Sequence, residues 1–246
     1  MESSQKYPNP PLREAMLVVQ MTFPAGNGME ASRLFSEALK AEYPDQKPVY
    51  AEGTVEDPID GQPNPLFPHQ PIRYVCRDLD KRSVVQLGAT EFDFSCLPPY
   101  PGFEAFLRES KRIWQRFRET SPEVTIDRLA LRYLNVIELP APVGEIRDWL
   151  TVSPNISASF PQTATGLYLQ LELLYPDSLT RLLVTEAIGE VSSESVQTVL
   201  LELDLMREET VPQSDDEMWA YFESLREIKN EVFEACLTPR TRELFQ

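Results

Sequence analysis

The sequence contains few of the residues from which familiar active sites are built. Its 246 residues include one histidine, three cysteines and nine glycines. It has no Cys-x-x-Cys, no His-Glu-x-x-His and no glycine-rich phosphate loop, which argues against common zinc and nucleotide sites. The one histidine, His69, lies in a proline-rich stretch with no local serine–aspartate partners. We therefore predict no catalytic residues, no metal and no cofactor, although an enzyme with an unrecognised site stays an alternative.

Long hydrophobic runs are also absent from the sequence. No apolar run approaches the ~20 residues that span a bilayer, and the first residues lack the apolar segment of a signal peptide. The cysteines, Cys76, Cys96 and Cys236, are odd in number and widely spaced. This pattern predicts buried free thiols in a reducing compartment. We expect a cytoplasmic protein with no membrane partner.

Positive charge is scarce, because 23 Lys and Arg stand against 39 Asp and Glu, for a net charge of -16. Such a chain is repelled by nucleic-acid phosphates and anionic membranes, so nucleic acid is a disfavoured partner. We interpret the acidity as a means of solubility. The alternative is an acidic surface that docks on a basic protein partner.

One basic cluster lies on a predicted helix at 103–119. It comprises Arg108, Lys111, Arg112, Arg116 and Arg118. Glutamates interleave these residues, so the favoured interpretation is a solvated helix face. The alternative is a contact strip for an acidic partner or nucleic acid, formed by Arg108, Lys111 and Arg112.

The stretch from Leu129 to Leu139 is the most regular apolar alternation in the chain. Leu129, Leu131, Tyr133, Ile137 and Leu139 share one face at period two, and Ala130, Leu134 and Val136 share the other. This pattern predicts a central strand with both faces at least half buried.

Two polar residues, Arg132 and Asn135, interrupt this strand and point to opposite faces. A buried arginine needs a carboxylate, so we expect Arg132 to pair with Glu202 or Asp204. Binding of a ligand at the sheet surface is the alternative role for Arg132. Asn135 is expected to fix a neighbouring loop by bonding to backbone groups.

Two long helices complete the predicted fold, one at 103–119 and one from Trp219 to Cys236. Both show apolar residues at spacings of three and four, and Ser214 with Glu217 forms a capping box before the second. The chain is predicted to be one α+β domain over 1–246, an antiparallel sheet or sheets of six to eight strands packed with two long helices. The halves 12–120 and 121–246 share their element order, which suggests a duplicated β-α-β-β-β-α unit.

Several short motifs resemble a family of sporadically distributed, uncharacterised bacterial proteins of about this length. The matching segments are Asn9–Ala15, Val85–Gly88, Tyr100–Phe106 and Arg132–Ile137. The tail Leu225–Leu237 also fits, except that Arg226 stands where a histidine is common in the family. The resemblance implies no known activity, and the patchy distribution of the family suggests defence-associated genes.

Three functions remain as hypotheses from the sequence. The first is a non-enzymatic interaction subunit or accessory factor that binds another protein, in a bacterial defence or toxin-related assembly. The second is a small-molecule-binding domain with a cavity between sheet and helix, where Arg132, Tyr133 and Asn135 supply polar contacts. The third is a nucleic-acid clamp that uses the basic strip from Arg108 to Arg118.

Overall fold

The computed structural model describes residues 7–24, 26–50, 71–121, 123–141, 143–154, 166–193 and 196–246, and side chains are considered outside 189–193. His69 lies outside these residues. The strands are β1 (Leu12–Thr22), β2 (Asp45–Val49), β3 (Arg73–Arg77), β4 (Ser83–Gly88), β5 (Glu91–Cys96), β6 (Thr125–Pro140), β7 (Leu167–Tyr175), β8 (Thr180–Ser193) and β9 (Val196–Arg207). The helices are α1 (Gly28–Leu39), α2 (Phe103–Thr120), α3 (Asp215–Cys236) and α4 (Pro239–Glu243).

All described strands join one antiparallel sheet in the order β2-β3-β4-β5-β1-β6-β9-β8-β7. The α+β class and the antiparallel sheet are confirmed, but the count of six to eight strands is wrong, since the sheet has nine. Two long helices were expected, and α1 and α4 add to them. The sequence predicts too few strands because short edge strands have weak hydrophobic patterns. β2, for example, has five residues, of which three are exposed, and it contains Pro48.

The first half of the chain forms one lateral half of the sheet, and the second half of the chain forms the other. β1 and β6 pair in the middle, with β5, β4, β3 and β2 following on one side and β9, β8 and β7 on the other. The expected element order is not met in full. The first half has one strand more, and the described chain between β6 and β7 holds only the 3-10 turn Ile146–Asp148. Duplication of one unit stays a prediction.

The helices that the structure describes cover one face of the sheet. The main core joins alternate residues of the strands to α1, α2 and α3, and the opposite face holds only a small cluster of Val18, Ala130 and Met206. β6 shows this asymmetry, because Tyr133 is 3% exposed while Arg132 on the other face is partly exposed. The expectation that both faces of this strand are at least half buried is confirmed from Leu129 to Ile137, where no residue is exposed, but helices cover one face alone.

The aromatic stripe predicted on α2 forms the centre of this core. Trp114 and Phe117 of α2 lie 5.2 Å and 5.5 Å, respectively, from the ring of Phe92 on β5. Phe35 of α1 packs edge to face on Phe117 at 5.3 Å. Such ring pairs add to the free energy gained by burying their apolar surface. The apolar stripe of α2 and the alternating apolar residues of β5 thus bury each other.

The cysteines follow the prediction for structural thiols. Cys76, Cys96 and Cys236 are all buried and free. Burial raises the pKa of each thiol to about 12, so these thiols stay protonated and weakly reactive at neutral pH. None of the helices in the described ranges is long and apolar enough to cross a membrane.

Candidate functional site

α3 places one lysine against the helix-covered face of the sheet. Lys229 follows the buried Leu225 by four residues, so it lies on the apolar stripe of the helix. Its Nζ atom lies 4.4 Å from the centroid of the Tyr133 ring on β6. No carboxylate in the described part of the chain pairs with this ammonium group. Within the described residues, this partly buried positive charge therefore lacks a negative partner.

The consequence is that the Lys229 ammonium loses its proton more readily than that of an exposed lysine. Burial lowers the pKa of Lys229 to about 8, and the nearby positive charge of Arg226 contributes to this shift. The aromatic face of Tyr133 stabilises the cation, but by less than a carboxylate would. A lysine in this state can bind an anion, and its neutral fraction near pH 8 can act as a nucleophile.

The tyrosine beneath this lysine, Tyr133, pairs with a second tyrosine. The Oη atoms of Tyr100 and Tyr133 lie 3.0 Å apart in a hydrogen bond, and the rings meet edge to face at 85°. Burial raises the pKa of both phenols, so neither supplies a negative charge at neutral pH. One hydroxyl hydrogen serves the bond between them, and the other remains available to a further acceptor.

The N-terminus of α2 lies next to the tyrosine pair. Gly102 is the N-cap, with a φ of 92° that favours glycine, and no side chain caps the helix at this position. The Arg226 guanidinium lies 5.5 Å from the centroid of the Phe103 ring and pairs with Glu104 at 2.6 Å. The free N–H groups of a long helix attract anions. Arg226 and Lys229 lie one turn apart on α3, and Glu104 in the first turn of α2 offsets the charge of Arg226.

A groove of about 690 Å³ lies between α2 and α3, and it is lined by Arg226 but not by Lys229, Tyr100 or Tyr133. The predicted basic residues Arg108, Lys111 and Arg112 line it together with Arg226. Lys111 pairs with Glu223 at 2.7 Å, and Arg112 pairs with Glu109 and Glu42, each at 2.7 Å. Arg108 is exposed. Most of this strip is therefore neutralised by neighbouring carboxylates, as the interpretation of a solvated face implies.

The residues predicted on β6 do not form one site. Arg132 lies on the uncovered face, because successive side chains of a strand alternate. Its Nε donates to Glu202 at 2.9 Å and lies 3.7 Å from Asp204, so the predicted ion pairing is confirmed. Asn135 shares the face of Tyr133, but its Nδ2 donates to the carbonyl of Leu201 at 3.2 Å. Asn135 thus binds to β9 instead of a loop, and only Tyr133 reaches the lysine.

The uncovered face carries further charges in pairs. Arg73 pairs with Glu91 at 2.7 Å, and Arg128 lies 3.6 Å from Asp204. Burial raises the pKa of Asp93 to about 8 despite the cations near it. These pairs balance one another across neighbouring strands, as expected for a polar sheet surface.

Sequence reasoning missed Tyr100, Arg226 and Lys229 as site residues. A lysine within an otherwise apolar helix stripe was the available signal. The tyrosine pair brings together the segments Tyr100–Phe106 and Arg132–Ile137, and Leu225–Leu237 adds the lysine. Three of the segments that carry the sequence resemblance thus meet at this site, which we call the Lys229 site.

The described residues contain no group of three or more His, Cys, Asp or Glu side chains that could hold a metal ion. Comparison of the chain with models of known protein families found no match. A comparison with curated proteins found no match either.

Proposed function

We propose that the protein binds a small anionic molecule at the Lys229 site. The observation that carries the proposal is the partly buried ammonium group of Lys229, which has no carboxylate partner in the described chain. Removing a charge from water without a partner lowers stability, so a fold that only needed packing would place an apolar residue there. A carboxylate or phosphate group of a ligand would supply the missing negative charge.

The surroundings of Lys229 fit an anion in two further ways. The N-terminus of α2 has no side-chain cap and lies beside Arg226, although Glu104 in its first turn offsets part of this positive potential. The Tyr100–Tyr133 pair retains a hydroxyl hydrogen for an acceptor on the ligand. The groove between α2 and α3 borders Arg226, so a ligand that extends past Arg226 would enter it.

Thermal unfolding with a panel of anions tests this proposal. The panel contains inorganic phosphate, citrate and a nucleoside monophosphate, each matched in ionic strength by sodium chloride. At least one probe is expected to raise the Tm of the wild type in proportion to its occupancy. Lys229→Met should abolish this response. Arg132→Met is the matched control, because it removes a cation from the opposite face of the same sheet and should leave the response intact.

Two results would refute the ligand site. One is an equal response of Lys229→Met and the wild type, which would assign the effect to general anion binding. The other is no response of the wild type to any probe in the panel at millimolar concentration.

Binding of another protein is a second candidate function. The observation that favours it is the edge of the sheet at β7, where large apolar side chains are exposed. The association with a bacterial defence or toxin-related assembly stays a hypothesis that the sequence resemblance alone suggests.

The nucleic-acid clamp is the weakest of the three hypotheses. Lys111, Arg112, Arg116 and Arg118 each pair with a carboxylate, which would have to be displaced by phosphate. The net charge of -16 opposes the approach of nucleic acid as well. Filter binding of single-stranded DNA at low salt should therefore give no retention above that of a neutral control protein.

A further inference from the structure

β7 ends the sheet, and no described strand pairs with its outer edge. Four large apolar side chains on this nine-residue strand are exposed: Leu171 at 38%, Leu173 at 41%, Leu174 at 63% and Tyr168 at 70%. They lie on both faces of the strand. An edge that combines free backbone groups with apolar side chains is a template for another strand.

The opposite edge of the sheet is built differently. β2 has five residues, and Lys47 and Pro48 lie at or next to its centre. A short edge strand with lysine and proline resists pairing with a further strand, because proline lacks the N–H donor and lysine keeps its charge in water. Among the described residues, the sheet is thus protected at β2 and open at β7, which points to a function for the open edge.

The sequence of β7 is symmetric in polarity about Leu171. On either side come a polar residue, Gln170 or Glu172, then a leucine, Leu169 or Leu173. The next residues, Tyr168 and Leu174, are both apolar. An antiparallel copy centred on Leu171 would place leucine opposite leucine on the helix-covered face. On the uncovered face it would place glutamine opposite glutamate and tyrosine opposite leucine.

We infer that β7 pairs with β7 of a second copy of this chain, antiparallel and in register about Leu171. The pairing joins two nine-stranded sheets into one continuous sheet around a twofold axis. It places no like charges directly opposite each other, since Glu172 faces Gln170. This inference gives the second candidate function a specific partner, and it is independent of the Lys229 site.

The net charge of the chain predicts how dimerisation depends on salt concentration. Two copies that each carry a net charge of -16 repel one another, and salt screens this repulsion. The contact itself is mostly apolar and backbone, so it is little weakened by salt. Dimerisation should therefore strengthen as ionic strength rises from roughly 20 to 300 mM, because the Debye length falls from about 20 to about 6 Å over that range.

Sedimentation velocity of the full chain tests the inference. The wild type is expected to be a dimer, and Leu171→Arg a monomer, because two arginines would face each other across the axis. Val49→Arg is the matched control, since Val49 lies on the other edge strand and is exposed to the same extent, 37% against 38% for Leu171. Mixing Leu171→Arg with Leu171→Glu should restore a dimer, because the opposed charges would then attract.

Cysteine cross-linking tests the register. Opposed residues of an antiparallel pair have Cα atoms about 4.5–5.5 Å apart, which suits a disulfide. Leu171→Cys should therefore form a covalent dimer under mild oxidation, while the three native cysteines are buried and stay free. Leu174→Cys should not, because its two copies would lie ~20 Å apart along the strands.

A monomeric wild type at all concentrations up to about 200 μM, on the order of a weak dimer's Kd, would overturn the inference. A dimer that survives Leu171→Arg would overturn it as well, since the contact would then lie elsewhere. Neither result bears on anion binding, so the two proposals fail separately.

Discussion

The hydroxyl groups of Tyr100 and Tyr133 share a hydrogen bond of 3.0 Å beneath α3. Tyr100 precedes α2, Tyr133 lies on β6, and Lys229 of α3 lies over the Tyr133 ring. One polar cluster thus connects two long helices to a strand in the interior of the sheet. This arrangement has consequences for stability that can be measured without knowledge of the ligand.

The tyrosine pair should show energetic coupling. Tyr100→Phe removes the partner of the buried Tyr133 hydroxyl and should cost about 1–3 kcal/mol, because that group is left unsatisfied. The double variant Tyr100→Phe/Tyr133→Phe should cost less than the sum of the two single changes, by about 1 kcal/mol. Urea unfolding of the four proteins measures this coupling. Strictly additive effects would show that the bond contributes nothing.

Lys229→Met should stabilise the protein in a pH-dependent way. Burial lowers the pKa of Lys229 from 10.5 to about 8. Below pH 8 the folded protein holds the charged form at a cost of up to about 3 kcal/mol relative to the unfolded chain. As pH rises from 8 to 10.5 the folded lysine loses its proton first, so this cost declines. The variant should therefore be more stable than the wild type at pH 7, with a difference that shrinks toward pH 10.5.

The groups that face Lys229 do not obscure this dependence. Burial holds the pKa of Tyr100 and Tyr133 above the ordinary value of 10.0. Chemical denaturation at pH 7, 8, 9 and 10 gives the comparison. A variant that is less stable than the wild type at pH 7 would indicate that the ammonium has a partner.

Glu186 on β8 should give the opposite dependence. It is 1% exposed, neither carboxyl oxygen has a hydrogen-bond partner in the described chain, and burial raises its pKa to about 7. Between pH 4.5 and pH 7 the unfolded chain releases this proton while the folded chain keeps it, so stability falls as pH rises.

The neutral variant Glu186→Gln removes this loss. It should match the wild type at pH 4 and exceed it at pH 7.5 by on the order of 1–3 kcal/mol. The measurement is urea unfolding at the two pH values. An equal difference in stability between the variant and the wild type at both pH values would mean that folding does not raise the pKa of Glu186.

Gly28 at the start of α1 should tolerate no side chain. A Cβ atom built there would lie 1.8 Å from the carbonyl oxygen of Ala89. Gly28→Ala must therefore move α1 away from the loop before β5, at a cost of about 2 kcal/mol or more. Gly166→Ala is the control, since a Cβ atom added to Gly166 would meet no atom of the described chain within 4 Å. Thermal unfolding should show a lowered Tm for Gly28→Ala and an unchanged Tm for Gly166→Ala.

The sequence by itself determined the elements whose pattern is long and regular. The period of two in β6 and the spacings of three and four in α2 and α3 located these elements to within a few residues. It also determined that the thiols are buried and that Arg132 pairs with Glu202 and Asp204. These outcomes follow from local periodicity and from the cost of burying an unpaired charge.

The tertiary structure alone decided the order of the strands, the single covered face and the Lys229 site. Tyr100, Tyr133 and Lys229 are far apart in the chain and meet only because β6 lies beneath both long helices. The contrast between the edges β2 and β7 also depends on which strands find partners. Hydrophobic periodicity specifies the face that each element buries, but it does not specify the neighbour that covers that face.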